Sequence, residues 1–245
     1  MSQGYNVVGI DASLQSIEEA TIRYSNQIKS GQLVLEHCAI TKSGEDVVDF
    51  YLSDNSVWSS INKKIATRRE LSYRVDSVPG KPLSCFFEKY GVPYYCKIDI
   101  EGYDVFALQS LQTLSKLPKY ISVETECIGE EDVLNEEEIL ATLTQLHKLG
   151  YNRFKLIDQV SLNELLPNIP FYGIWRDMDA RTLLSRHYNY PFKIGSSGVF
   201  GKMLGDKWLM YNEAIHTLLS HRKQFFNSGN WVNYAFWCDW HATRI

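Results

Sequence analysis

Tyr94-Tyr95-Cys96-Lys97-Ile98-Asp99-Ile100-Glu101-Gly102-Tyr103-Asp104 is the stretch on which the reading of this chain turns. It follows the turn pair Val92-Pro93, reads as a short buried strand, and releases two carboxylates and a glycine just before an apolar helical run from Val105 to Leu117. Open α/β sheets place ligands outside the carboxyl ends of their parallel strands, so a strand that ends in acids and turns at once into a helix marks a candidate active site. Strand parity puts Lys97 and Asp99 on one face if the strand stays regular that far.

Working outward, Asn6 to Asp11 reads as a buried strand ending in an acid. Ile17, Ala20, Tyr24 and Ile28 then recur at helical spacing, and Gly31 supplies a stop. Leu33 to Ile40 forms the next apolar strand, and Ser43-Gly44-Glu45-Asp46 turns the chain back into Val47 to Leu52 as a hairpin. Arg74 to Val78 reads as a short edge strand before the turn cluster Pro79-Gly80-Lys81-Pro82, and Leu83 to Tyr90 as an amphipathic helix leading into the central stretch.

Downstream, Pro118-Lys119 breaks the helix, and Tyr120 to Glu126 gives a strand that exits through acids. Glu136-Glu137-Glu138 opens a helix that runs to Leu149 and stops at Gly150, with acids in its first turn and Lys148 in its last, as the helix dipole favours. Tyr151 to Ile157 is a further strand. The βα alternation predicts an α/β domain with a central, mostly parallel sheet flanked by helices. Beyond Asp158 the pattern fades into an aromatic-rich segment holding Gly195-Ser196-Ser197-Gly198, a helix from Tyr211 to Phe225, and an aromatic cluster from Trp231 to His241. The 245 residues suit a single domain, with 1–158 as its core and 159–245 as an added lobe or lid.

Composition narrows the functional classes. A net charge of -4 without a Lys/Arg block argues against a protein that tracks nucleic-acid phosphates; the small cluster Lys63-Lys64 and Arg68-Arg69 reads as solvated surface. Five cysteines, an odd number with no C-x-x-C pair, suggest neither a disulfide scaffold nor a zinc knuckle. With no signal-like start and no run of eighteen apolar residues, a cytoplasmic protein without a membrane partner is expected. Gly201-Lys202 does not make a phosphate loop, because the required pattern fails at Ser196 and Met203.

The octapeptide Lys97 to Asp104 resembles the K-x-D-[IV]-E-G-x-[DE] signature of FkbM-type methyltransferases. The resemblance extends to Asn6–Asp11 and Ile121–Glu126, and more loosely to Gly195–Gly198 and Trp237-Cys238-Asp239-Trp240-His241-Ala242. It implies a Rossmann-like class I methyltransferase fold, S-adenosylmethionine as cofactor, and a small-molecule acceptor with a hydroxyl group, such as a sugar, polyketide or other secondary metabolite. By the same resemblance Asp11, with Ala12 beside it, would hold the ribose; Cys38 and Ala39 would wall the adenine; and Asp99 would stand between cofactor and acceptor. Asp99 and Glu101 are the carboxylates expected to take the acceptor proton or orient the hydroxyl, with Lys97, Glu124 and His241 joining them. The residues alone leave plainer roles open: Asp11 and Asp99 as helix caps, Lys97 as a structural ion pair, His241 as a packed core residue. A divalent ion among Asp99, Glu101 and Glu124 is the minor alternative.

One departure stands out. No G-x-G precedes Asp11, so the first strand and glycine-rich loop expected of such a fold are not seen ahead of it. Loss of a central strand leaves backbone groups without partners at about 1–3 kcal/mol each, against a net stability of about 5–15 kcal/mol for a domain. The sequence therefore predicts a mis-called or truncated start, direct pairing of the two flanking strands, or a strand lent by another chain; a homo-oligomer is also open. A catalytically silent, methyltransferase-like binding module is the rival function.

Overall fold

The computed structural model describes residues 1, 3–44, 47–67, 71–125, 134–167, 180–228 and 236–244. Arg68, Arg69, Glu126, Cys127 and Trp231 lie outside the described residues. The chain divides into two compact units, Met1–Tyr90 with Ile100–Thr113, and Gly91–Asp99 with Leu114–Ile245. The strands expected to finish the core and the segment expected to form the lobe therefore share the second unit.

In the first unit β1 (Val7–Asp11) runs through α1 (Leu14–Arg23) and α2 (Ser25–Lys29) into β2 (Leu33–His37), and the two strands pair in parallel from Val7 opposite Leu33 to Asp11 opposite His37. Ser13 caps α1 by accepting the Ser16 N–H, and the helical run breaks at Tyr24, where φ is -112°. The strand expected to be buried is not: its residues alternate between half-buried and exposed, Val8 is 38 % exposed, and α1 has no buried residue. Parallel strands are ordinarily covered on both faces, so β1 has the hydrogen bonding of such a strand without the burial.

The expected hairpin of residues 33–40 with 47–52 does not form. The chain breaks after His37, and β3 (Ala39–Ile40) pairs in parallel with β6 (Gly80–Lys81). Ala39 and Thr41 donate their N–H groups to the carbonyls of Pro79 and Lys81, so this edge is already occupied. β4 (Val48–Ser53) instead pairs antiparallel with β5 (Tyr73–Val78), and Phe50, Val78 and Ala39 form a small core onto which Ala12, Val48, Leu52 and Ile61 pack. The helices α3 (Lys63–Ala66), α4 (Leu83–Tyr90) and α5 (Asp104–Ser110) complete the unit.

The second unit is built on a five-stranded sheet in the order β10–β9–β11–β8–β7, with β7 Tyr95–Ile98, β8 Tyr120–Glu124, β9 Arg153–Asp158, β10 Glu164–Leu165 and β11 Cys238–Thr243. It is a mixed α/β sheet, and the expectation of a mostly parallel one is corrected: only β7–β8 pair in parallel. β11 is antiparallel to both β8 and β9, so those two run the same way but never touch. The βα alternation disclosed the direction of β7, β8 and β9; it did not disclose that residues 238–243, read as an aromatic cluster, are the strand that parts β8 from β9.

The two faces of this sheet differ. Ile98, Ile121, Val123, Trp240, Ala242, Phe154 and Leu156 are at most 4 % exposed and make one face apolar. Tyr211, at the start of α9 (Tyr211–Asn227), packs its ring on Phe154 and stacks on His147 of α7 (Ala141–Lys148). Two shorter helices, α6 (Glu136–Ile139) and α8 (Ala180–His187), lie on either side of β9 in sequence. The acid run Glu136–Glu138 is the start of α6, where Asn135 and Glu138 form a reciprocal capping box.

Alternation along the strands puts Lys97 and Asp99, Ser122 and Glu124, Asp239 and His241, and Lys155 on the opposite face. The segment 195–208 covers part of it: Phe200 stacks on Tyr95 with 4.3 Å between centroids, and Lys155 lies 5.3 Å from the Trp208 ring. Among the described residues no helix is long and apolar enough to cross a membrane.

Trp240, fully buried on a strand paired on both sides, should dominate this sheet's stability. Trp240→Ala is expected to cost about 3–5 kcal/mol in urea titrations, whereas Val8→Ala on the half-open β1 should change stability by less than about 0.5 kcal/mol.

Candidate functional site

Lys97, near the carboxyl end of β7, directs its ammonium at Asp239 on β11, with Nζ 2.8 Å from Oδ1 and 2.7 Å from Oδ2. Asp239 is wholly buried and accepts a further hydrogen bond of 2.7 Å from Nε2 of the buried Gln159. Lys97 also lies 3.3 Å from Oδ2 of Asp99, so one ammonium bridges an inner and an outer carboxylate. The outer one remains accessible, the Asp99 side chain being 32 % exposed and that of Asp239 0 %. Glu124, the last residue of β8, hydrogen-bonds Asp99, and the register places it directly beside Asp239.

The electrostatics follow from this nesting. Burial is the largest influence on Asp99 and raises its pKa, with Asp239 adding to the rise; Lys97 and the hydrogen bonds from Lys97 and Glu124 pull the other way. Burial alone would lower the pKa of Lys97, but the charges of Asp239 and Asp99 outweigh it, and its net shift is upward. The ammonium is therefore held charged. Asp99 and Glu124, two of the three acids considered for a divalent ion, bring carboxylate oxygens within 4.8 Å of each other, the clustering that hard cations favour.

His241 stands one step along the same face, opposite Ser122 on one side and Lys155 on the other, and is 2 % exposed. It hydrogen-bonds the Ser197 backbone, while its Nε2 has no protein partner. Burial, reinforced by the charges of Lys97 and Lys155, pushes its pKa down to about 3, so the ring is neutral. The turn covering it is tied down by Gly195, whose N–H donates to the Gln159 carbonyl at 3.1 Å. Gly195 adopts φ +81°, and a Cβ there would meet the Trp237 ring at 2.7 Å, so only glycine suits the position.

The remaining predicted residues belong to the first unit. Glu101 adopts φ +49°, uncommon for a residue with a side chain, and its carbonyl accepts the Ser60 hydroxyl at 2.7 Å. Asp104, 3 % exposed, stitches this turn: Oδ1 accepts the Ile100 N–H and Oδ2 the Gly102 N–H. Asp11 ends β1 with Oδ1 accepting the Ser13 N–H at 2.7 Å; it is exposed, though the surrounding atoms desolvate it enough to raise its pKa. Ala12 offers its carbonyl to His37 Nε2 at 3.0 Å. Cys38 and Ala39 face inward: the Cys38 thiol donates to the Pro79 carbonyl, burial pushes its pKa up, and Ala39 is part of the small core.

The structure thus brings together Lys97, Asp99 and Glu124, sets His241 behind them under cover, and places Asp11 and Glu101 in the other unit. Sequence reading missed Asp239, Gln159 and the turn-holding role of Asp104. Asp239 had a weak signal, an acid between two tryptophans in Trp237 to Trp240; Gln159 had none. Neither a family model, nor a curated protein, nor a solved structure matches this chain.

Two outcomes are expected. Asp239→Asn removes the buried carboxylate from Lys97 and leaves it Asp99 as acidic partner, which should destabilise the protein by about 1.5–3 kcal/mol in urea titrations at neutral pH. His241 has a folded pKa far below its unfolded value of 6.5, so the unfolded chain takes up the proton first and stability is lost as pH falls from about 6.5 toward about 3. Between pH 6.5 and pH 5 the unmodified protein should lose about 2 kcal/mol that His241→Gln does not lose.

Proposed function

We propose that this protein is an S-adenosylmethionine-dependent O-methyltransferase that acts on a hydroxyl of a small molecule. The observation that carries the reading is the Asp99 carboxyl: it lies at the end of a parallel strand just before the turn into α5, is partly open to solvent, and is held from behind by Lys97 and Asp239. Its setting within an octapeptide that resembles the FkbM-type signature supports the choice of reaction.

When bound, the cofactor supplies an electrophilic methyl group on sulfur. The protein must present the acceptor oxygen in line with that methyl and receive the hydroxyl proton. Alignment contributes about 7–11 kcal/mol in favourable cases, and a positioned base about 10² to 10⁴ in rate. In this reading Asp99 fixes the hydroxyl and takes its proton, helped by a pKa that burial raises. Lys97 holds Asp99 in place, and Glu124 hydrogen-bonds it. Glu101 is the second carboxylate of the motif.

The fit to the cofactor is tested at Asp11. An exposed carboxylate that ends a parallel strand and spends one oxygen on the Ser13 N–H keeps acceptor capacity for ribose hydroxyls. Cys38 and Ala39 turn their side chains into the core, so in this reading they shape the wall through backbone alone. The rival reading is a catalytically silent, methyltransferase-like binding module.

Calorimetry separates the two. The full chain should release heat with S-adenosylhomocysteine at a micromolar dissociation constant, and Asp11→Ala should weaken it at least about tenfold, the equivalent of about 1.4 kcal/mol. No heat from a folded sample would leave the silent module as the better account.

A further inference from the structure

A cleft of about 390 Å³ opens in the first unit, lined by Thr41, Asp49, Tyr51, Ile61 and Tyr103 among others. Its size falls within the range of small-molecule sites, about 300–1,000 Å³. Asp49 and Tyr51 are two residues apart on β4 and so share a face, and Tyr103 immediately precedes α5. Among the described residues Asp49 is the one charged group in the lining, with no lysine, arginine or histidine beside it.

The rings around this cleft already show what they attract. Tyr73, whose ring lies 5.6 Å from that of Tyr51, carries the Lys63 ammonium 5.2 Å from its centroid. Phe106, 5.1 Å from Tyr103, carries the Lys42 ammonium at 5.7 Å. Each lysine rests on the outer neighbour of a cleft ring. Among the described residues no cation lies over Tyr51 or Tyr103 themselves. Two aromatic faces without a cation and one carboxylate are the parts from which ammonium-binding sites are made: the ring quadrupoles attract the charge and the carboxylate balances it.

We propose that this cleft binds a small organic cation with an ammonium head group, seated against the rings of Tyr51 and Tyr103 with Asp49 as its counter-ion. Ile61 and the γ-methyl of Thr41 meet the aliphatic part; the Thr41 hydroxyl is already committed to the Ser43 carbonyl at 2.6 Å. The site does not depend on methyl transfer, because every residue invoked lies in the first unit and none is assigned to the reaction.

Choline and its uncharged isostere 3,3-dimethylbutan-1-ol, titrated into the full chain with labelled tyrosines, test the assignment. Choline should move the ring resonances of Tyr51 and Tyr103, and the isostere should bind about tenfold more weakly or not at all. Asp49→Asn, at an exposed position, should weaken choline by about tenfold and leave the far-ultraviolet circular dichroism unchanged. Equal affinity for the two probes, or no choline-induced shift in the folded protein, would overturn the proposal. The comparison of the two probes on the unmodified chain decides the matter even if Asp49→Asn fails to fold. Binding of S-adenosylhomocysteine is scored separately, so either reading can fail alone.

Discussion

The pairing of Lys97 with Asp239 is the constraint on which the second unit depends. A carboxylate with no solvent exposure is among the most costly groups to bury, and it persists only where a partner of opposite charge and further hydrogen bonds satisfy it. Here both Asp239 oxygens face one ammonium, and Gln159 supplies the additional donor. Lys97 sits on an end strand of the sheet, Asp239 on a strand two places in, and Gln159 just beyond β9, so the pair ties together elements far apart in the chain. A hydrophobic pair of similar volume could serve stability as well. What it could not do is hold a third group, the partly exposed Asp99, at a fixed distance from a charge.

How legible this was depends on how local each signal is. The strand at Tyr95–Ile98, the helix at Leu83–Tyr90 and the acidic start of α6 follow from short-range pattern and capping, and they lie close to where the sequence places them. The neighbours of each strand are a different matter. Cys238–Thr243 pairs with strands that begin more than eighty residues earlier, and its Cys-Asp-Trp-His-Ala-Thr content alternates apolar with buried polar side chains. Such a run signals an aromatic cluster as readily as a central strand. The break after His37 was equally hidden, because the bonds that impose it come from Pro79 and Lys81, about forty residues away.

The same distinction governs the site. Lys97, Asp99 and Glu124 were visible because parity and strand ends are local properties, and the structure does gather them. Asp239 carries the charge that fixes their arrangement, yet its signal in the sequence is weak, an acid between two tryptophans. Glu101 and Asp104 sit in the same octapeptide and look alike as carboxylates. One leaves its side chain beside a strained backbone; the other is buried and serves as the hydrogen-bond acceptor that closes the turn. A motif states which residues recur together, and only geometry separates those that could meet a ligand from those that hold the backbone.

Asp99 and His241, two of the ionisable groups on this face, differ in what burial does to them. His241 and Asp99 are both pushed toward their neutral forms by burial, but for opposite consequences. A neutral histidine with a pKa near 3, 2 % exposed and hydrogen-bonded to the Ser197 backbone, has too little basicity at neutral pH to draw a proton from a hydroxyl. A carboxyl whose pKa is raised becomes a better base, and Asp99 keeps about a third of its side chain open to solvent. The cover over His241 leaves Asp99 partly exposed, beside a Lys97 ammonium whose other partner, Asp239, is wholly buried.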